Sequence, residues 1–164
     1  METLSLNYQV FNHRNELPEN LNHLLSEAIT ACGKAYAPYS NFFVGASLVL
    51  STGEYLHGCN QENASFPAGL CAERTALYAK GVQHRDVPVE AMAITACRHK
   101  SPEANLLPIT PCGGCRQVMV EFEHRQKSPI KVLLSMENGA FFLLPSASLL
   151  LPFSFGNEFL QTQG

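Results

Sequence analysis

The sequence predicts an α/β fold: a three-layer α/β/α sandwich around a five-stranded mixed sheet, with an extra strand at the N-terminus. Three observations predict it. Apolar strand patterns alternate with helical ones in the order β-α-β-β-α-β-α-β-β-α. Residues 89–97 (VEAMAITAC) form the apolar run of a strand covered on both faces. Ser51-Thr52-Gly53 and Asn138-Gly139 each join two strand patterns and so predict hairpins.

Taken in order, Leu4, Leu6, Tyr8 and Val10 alternate with polar residues and predict a short first strand. Residues 17–36 predict a helix, with Pro18 near its start, Leu21, Leu24, Leu25, Ala28 and Cys32 on one stripe, and Gly33 near its end. Residues 42–50 and 54–59 predict the first hairpin, and 60–70 are irregular. Residues 71–80 have helical composition, with Gly81 as the stop. Residues 98–111 predict a loop, and 112–124 a helix with Val118, Met119 and Phe122 inward. Residues 130–135 and 140–144 predict the last hairpin, and Ser146 caps a short final helix through Leu151. There is no internal repeat, low-complexity segment or linker.

The composition narrows the function classes. The 164 residues are 46% hydrophobic and 15% charged, enough to bury a core and too apolar for a disordered chain. The net charge is −3, with no cluster of Lys and Arg, so a polynucleotide partner is not expected. The stretch 140–155 is apolar, but Pro145, Pro152 and three serines interrupt it, so no membrane span is expected. Residues 1–7 have no basic or apolar leader region. A cytoplasmic protein is therefore expected, whose six cysteines are reduced thiols rather than disulfides.

Two segments carry chemistry: Cys71-Ala72-Glu73 and Pro111-Cys112-Gly113-Gly114-Cys115. Cys112 and Cys115 are three residues apart at a helix start, on one face and within reach of one ion. Cys71, also at a helix start, supplies a third thiol. The macrodipole favours thiolates at helix N-termini. Three thiolates and no evident fourth ligand describe zinc with one open position, the catalytic arrangement, in which bound water ionises near neutral pH. Glu73, in the first turn after Cys71, can point at that water without ligating and move its proton. Three thiolates leave Zn²⁺ with net negative charge, and Arg74 is the nearest cation to offset it. The C-x-E plus P-C-x-x-C pattern is the three-cysteine form of a zinc deaminase signature.

Five motifs then agree with one family. Asn60-Gln61-Glu62-Asn63-Ala64, Cys71-Ala72-Glu73-Arg74-Thr75-Ala76 and Pro111-Cys112-Gly113-Gly114-Cys115-Arg116-Gln117 resemble the short, three-cysteine class of cytidine deaminases. Residues 39–46 (YSNFFVGA) and 150–156 (LLPFSFG) resemble two further motifs of that class, in its order and spacing. The resemblance implies a cytidine deaminase-like fold in one domain spanning 1–164, with an N-terminal arm (1–16), a catalytic core (17–155) and a C-terminal tail (156–164). It implies hydrolysis of cytidine and 2′-deoxycytidine to uridine and 2′-deoxyuridine with release of ammonia, as in pyrimidine salvage, with one zinc per subunit. It further implies that hydroxide activated by zinc attacks C4 of the base while Glu73 shuttles protons to N3 and to the leaving amine. By the same resemblance the Ala72 N–H donates to the base carbonyl, Asn60 and Glu62 grip the ribose 3′-hydroxyl, and Phe42 lines the base pocket. The class is homotetrameric, and Phe155 matches a ring that reaches a neighbour's base. Phe66 stands where tyrosine is common, and Phe153 is bulkier than the usual residue.

Other readings remain open on the residues alone. The thiols could form a structural zinc site closed by Cys59, Cys97 or a histidine. Phe42 could be core, and Asn60 and Glu62 turn residues. Cys32, Cys59 and Cys97 read as packed core thiols, and the six histidines as surface residues. Competing functions are the same chemistry on another aminated nucleoside or analogue, a non-catalytic zinc module, and a polynucleotide editor.

Overall fold

The computed structural model describes residues 1–98 and 106–160. Its strands are β1 (Gln9–Phe11), β2 (Phe43–Leu50), β3 (Tyr55–Cys59), β4 (Val89–Cys97), β5 (Leu106–Leu107), β6 (Lys131–Ser135) and β7 (Phe141–Leu144). Its helices are α1 (Glu19–Cys32), α2 (Ala72–Gln83) and α3 (Gly113–Gln126). The strands form one mixed sheet in the order β1-β7-β6-β4-β2-β3, with β5 on the end of β4. β4 and β6 are parallel, and every other pairing among these strands is antiparallel. α3 makes the crossover that a parallel pair requires.

The layers follow from the period-2 pattern of the strands. Val44, Ala46, Leu48 and Leu50 of β2 pack with Ala76 and Leu77 of α2 and Met119 and Phe122 of α3. The opposite face, with Ala91, Ala93 and Leu133, packs on Leu21, Leu24, Leu25, Ala28 and Ile29 of α1. β4 is buried at every position but Glu90, as a central strand covered on both faces should be. Two glycines set the spacing between layers. A Cβ on Gly45 would sit 2.0 Å from the Ala28 carbonyl oxygen, and one on Gly58 would sit 2.3 Å from that of Ala72. The backbones of α1 and α2 can lie this close to the sheet only because those side chains are absent.

Both predicted hairpins form. Gly53 takes φ +84°, and Asn138 and Gly139 take φ +57° and +76°, the paired left-handed conformations for which Asn-Gly is suited. Ser146 caps the turn Ala147–Leu150 by accepting from the Ser148 N–H, although that turn is 3-10 rather than α-helical and a further 3-10 turn follows at Asn157–Phe159.

The differences have physical causes. The first strand covers only residues 9–11, and Leu4, Leu6, Tyr8 and Val10 are all about half exposed or more. Their alternation therefore does not mark a face against this chain's core. α1 stops at Cys32, before the expected end at 36. α2 runs through Gly81, where a Cβ would lie 3.3 Å from the Phe122 ring, so this glycine serves close helix packing rather than termination. β5 lies in the stretch expected to be loop. Of that loop, residues 99–105 lie outside the described residues, as do 161–164 of the expected tail. Among the described residues no helix is long and apolar enough to cross a membrane.

Candidate active site

The sulfur atoms of Cys71, Cys112 and Cys115 lie within 4.8 Å of one another, although 41 residues separate the first two in sequence. Cys71 is the residue before α2 and Cys112 the residue before α3, and neither side chain caps its helix. Cys115 follows in the first turn of α3 and is fully buried. The Cys71–Cys112 and Cys112–Cys115 sulfur separations are 3.9 and 3.5 Å. A tetrahedral zinc with Zn–S bonds of about 2.3 Å requires sulfur–sulfur edges of about 3.8 Å, so the donor set fits that ion nearly as it stands.

The surrounding electrostatics agree. The Arg74 Nη2 reaches to 3.7 Å from the Cys71 sulfur, while its buried Nε has no hydrogen-bond partner. Hydrogen bonding from Cys115, and then from Arg74, holds the Cys71 thiol down to about 5 against burial. The hydrogen bond to Cys71, and then burial, pushes Cys115 up. Cys71 lies at the positive end of α2, which favours negative charge on its sulfur. Glu73 sits in the first turn of the same helix and is 4% exposed. Burial, and then the Cys71 charge, raise its pKa, while local hydrogen bonds oppose. Ala72 is the first residue of α2, so its N–H has no acceptor within the helix.

A cavity of about 750 Å³ opens beside the sulfurs, lined among others by Asn60, Glu62, Phe66, Cys71, Arg74 and Cys112. Asn60 and Glu62 also organise its wall. Asn60 Oδ1 accepts from the Val44 N–H at 2.8 Å, and its Nδ2 donates to the Phe42 carbonyl at 2.9 Å. Glu62 Oε2 accepts from the N–H groups of Tyr39 and Ser40, at 2.9 and 3.3 Å. Hydrogen bonding from Ser40 and then from the Tyr39 N–H lowers its pKa, so this carboxylate is ionised. The two residues together pin the segment 39–44. Phe42 is half-buried, packs against the core and is not among the residues lining the cavity. Phe155 is also absent from the lining. It is 57% exposed and stacks on Phe159 with ring centroids 5.7 Å apart.

The sequence reasoning did not assign roles to Arg116 and Gln117. Arg116 donates from Nε to the Pro111 carbonyl and from Nη1 to that of Leu150, tying the turn before Cys112 to the C-terminal segment. Gln117 donates to the Phe155 carbonyl. Their position directly after the Cys-x-x-Cys segment was the available signal, but their partners are backbone carbonyls with no sequence pattern.

Comparison with known proteins places this geometry in a family. Residues 18–128 match the family described as the cytidine and deoxycytidylate deaminase zinc-binding region. A cytidine deaminase of Halalkalibacterium halodurans is 46% identical over 98 residues, which are 60% of this chain and 68% of that one. One from Sporosarcina psychrophila is 41% identical over 99 residues, 60% of this chain and 67% of that one. The crystal structure of cytidine deaminase from Burkholderia pseudomallei superposes with a TM-score of 0.69 at 41% identity, covering 85% of this chain and all of that one. On the family match, the sequence identities and the shared fold, this chain is a member of the cytidine deaminase family of enzymes.

Proposed function

We propose that this chain hydrolyses cytidine and 2′-deoxycytidine to uridine and 2′-deoxyuridine with release of ammonia, the chemistry of pyrimidine salvage in the cytoplasm. One zinc per subunit is held by Cys71, Cys112 and Cys115. The observation that carries the reading is the meeting of three sulfurs from two helix tips beside a carboxylate that is 4% exposed. Zinc bound there supplies activation of water near neutral pH.

The chain's own residues do the rest. Glu73, held in a dry position on the first turn of α2, takes the water's proton, delivers one to N3 of the base and later serves the leaving amine. The Ala72 N–H donates to the base carbonyl. Arg74 offsets the thiolate charge. Asn60 and Glu62 grip the ribose 3′-hydroxyl, an amide and a carboxylate together satisfying it as donor and acceptor. Their bonds to segment 39–44 prepay the ordering that binding would otherwise require. The charge on Glu62 repels a 3′-phosphate, which favours free nucleosides over nucleotides and polynucleotides. Phe42 borders the base, and Phe155 reaches a neighbour's base in a homotetramer. The chain acts as one domain over 1–164, with 1–16 as an arm, 17–155 as the catalytic core and 156–164 as the tail.

A direct assay tests this: zinc-loaded protein incubated with cytidine, with absorbance followed as uridine forms. Turnover is expected, and its absence rejects the reading. A second reading, the same chemistry on another aminated nucleoside or analogue, is favoured by Phe66, whose ring lines the cavity and is 90% exposed. A substrate panel compared by kcat/KM separates the two.

A further inference from the structure

A second concavity, of about 400 Å³, lies at the C-terminal ends of α2 and α3, away from the cysteines at their N-terminal ends. Lys80 lines it from the last turn of α2, about 14 Å along the helix from Cys71. Arg85, Asp86, Phe122, Arg125 and Gln126 also line it.

Lys80 is the unusual member. It is 3% exposed, and its ammonium sits 5.6 Å from the centre of the Phe122 ring. The Arg125 guanidinium approaches the same ring at 5.0 Å. An ammonium has three N–H donors. The acceptor in place is the Arg85 carbonyl, at 3.2 Å. Among the described residues the ion pairs within 4.0 Å join His23 and His57 to Glu27 and His84 to Glu54, and none involves Lys80, Arg85 or Arg125. Burying a cation is costly, and the nearby charge of Arg125 adds to that cost while that of Asp86 offsets part of it. The negative end of α2 offsets part of that cost for Lys80. The negative end of α3 does the same for Arg125, in its last turn, whereas Arg85 lies beyond the end of α2.

We propose that this concavity binds a compact phosphate-bearing anion, taken up between Lys80 and Arg125 with Arg85 at the rim. Three cations against the single carboxylate of Asp86 suit a divalent anion better than a monocarboxylate. The volume is at the low end for small-molecule sites. Phe122 is 5% exposed and already faced by two cations, so it offers no surface on which a nucleobase could stack.

Calorimetric titration of the zinc-loaded, full-length protein with pyrophosphate, inorganic phosphate and uridine 5′-monophosphate tests the proposal. Pyrophosphate or inorganic phosphate should bind with a submillimolar Kd that weakens as salt is raised. Lys80→Met and Arg125→Gln should each weaken binding about tenfold or more while cytidine turnover persists. Arg125 is exposed, so its variant keeps the test valid should Lys80→Met fail to fold. Absence of binding, or an affinity unchanged in Arg125→Gln, overturns the site. Tighter binding of uridine monophosphate than of pyrophosphate overturns its assignment to a compact anion.

Discussion

Gly58 lies on β3 beneath the first turn of α2, where a Cβ would meet the Ala72 carbonyl oxygen at 2.3 Å and the Ala76 nitrogen at 2.5 Å. Both are backbone atoms and cannot rotate away. Ordinary contact begins at 3.4 Å, so Gly58→Ala obliges the start of α2 to retreat from the sheet by about 1 Å. That turn follows Cys71 and carries Glu73. Displacing reacting groups by about 1 Å costs about a hundredfold in rate. The overpacking costs about 1–3 kcal/mol, less than the 5–15 kcal/mol of a typical domain, so the variant should still fold. The assay is kcat/KM for cytidine, with Tm and zinc content measured on the same preparation. The expected result is a Tm lower by several degrees and kcat/KM reduced about a hundredfold. Wild-type rate and Tm would show that α2 is not seated on β3 as described, and the account of how the site is positioned would fail with it.

Other substitutions probe separate links. Arg74→Ala should lower turnover more than zinc content, and zinc lost in proportion to activity would contradict its charge-offsetting role. Glu73→Ala should retain zinc yet lose about 10²–10⁴ in kcat, and substantial residual turnover would remove it as the proton carrier. Glu123, 7% exposed, accepts from the N–H groups of Ile130 and Ala147 and from the hydroxyls of Ser146 and Ser148. Glu123→Ala should therefore cost about 1–3 kcal/mol in a denaturant titration, because buried donors lose their acceptor. Burial pushes the Glu123 pKa up, but these hydrogen bonds outweigh it and the net shift is down. A depressed folded pKa gives stability that is present above the unfolded carboxylate value and lost as pH falls through the folded one. The wild-type advantage over Glu123→Ala should thus shrink on acidification, and an advantage independent of pH would contradict the assignment.

Local rules predicted much of this molecule. The central strand 89–97 was legible because a strand covered on both faces admits almost no polar residue, and the Asn138-Gly139 turn because few residues accept two successive positive φ values. The sulfur cluster was legible because its ligands carry helix-start spacing. The misread positions depend on tertiary contacts. Gly81 looks like a helix stop until Phe122 is seen against it. The alternation of residues 4–10 looks like a buried face, yet its side chains remain exposed. Asn60 reads as a turn residue or a ligand gripper, and nothing in its neighbours reveals that its amide spans Phe42 and Val44 across the hairpin. Glu123 sits in an apolar stripe with no local hint of the five donor groups converging on it.

X-ray absorption at the zinc edge, on the full-length protein titrated to constant metal content, tests the central claim most directly. The account predicts one zinc per chain, three sulfur neighbours at about 2.3 Å and a single oxygen neighbour at about 2.0 Å that responds when a cytidine analogue is added. Four sulfur or nitrogen neighbours from the protein, unchanged by the analogue, or zinc binding that survives loss of Cys112, would contradict it.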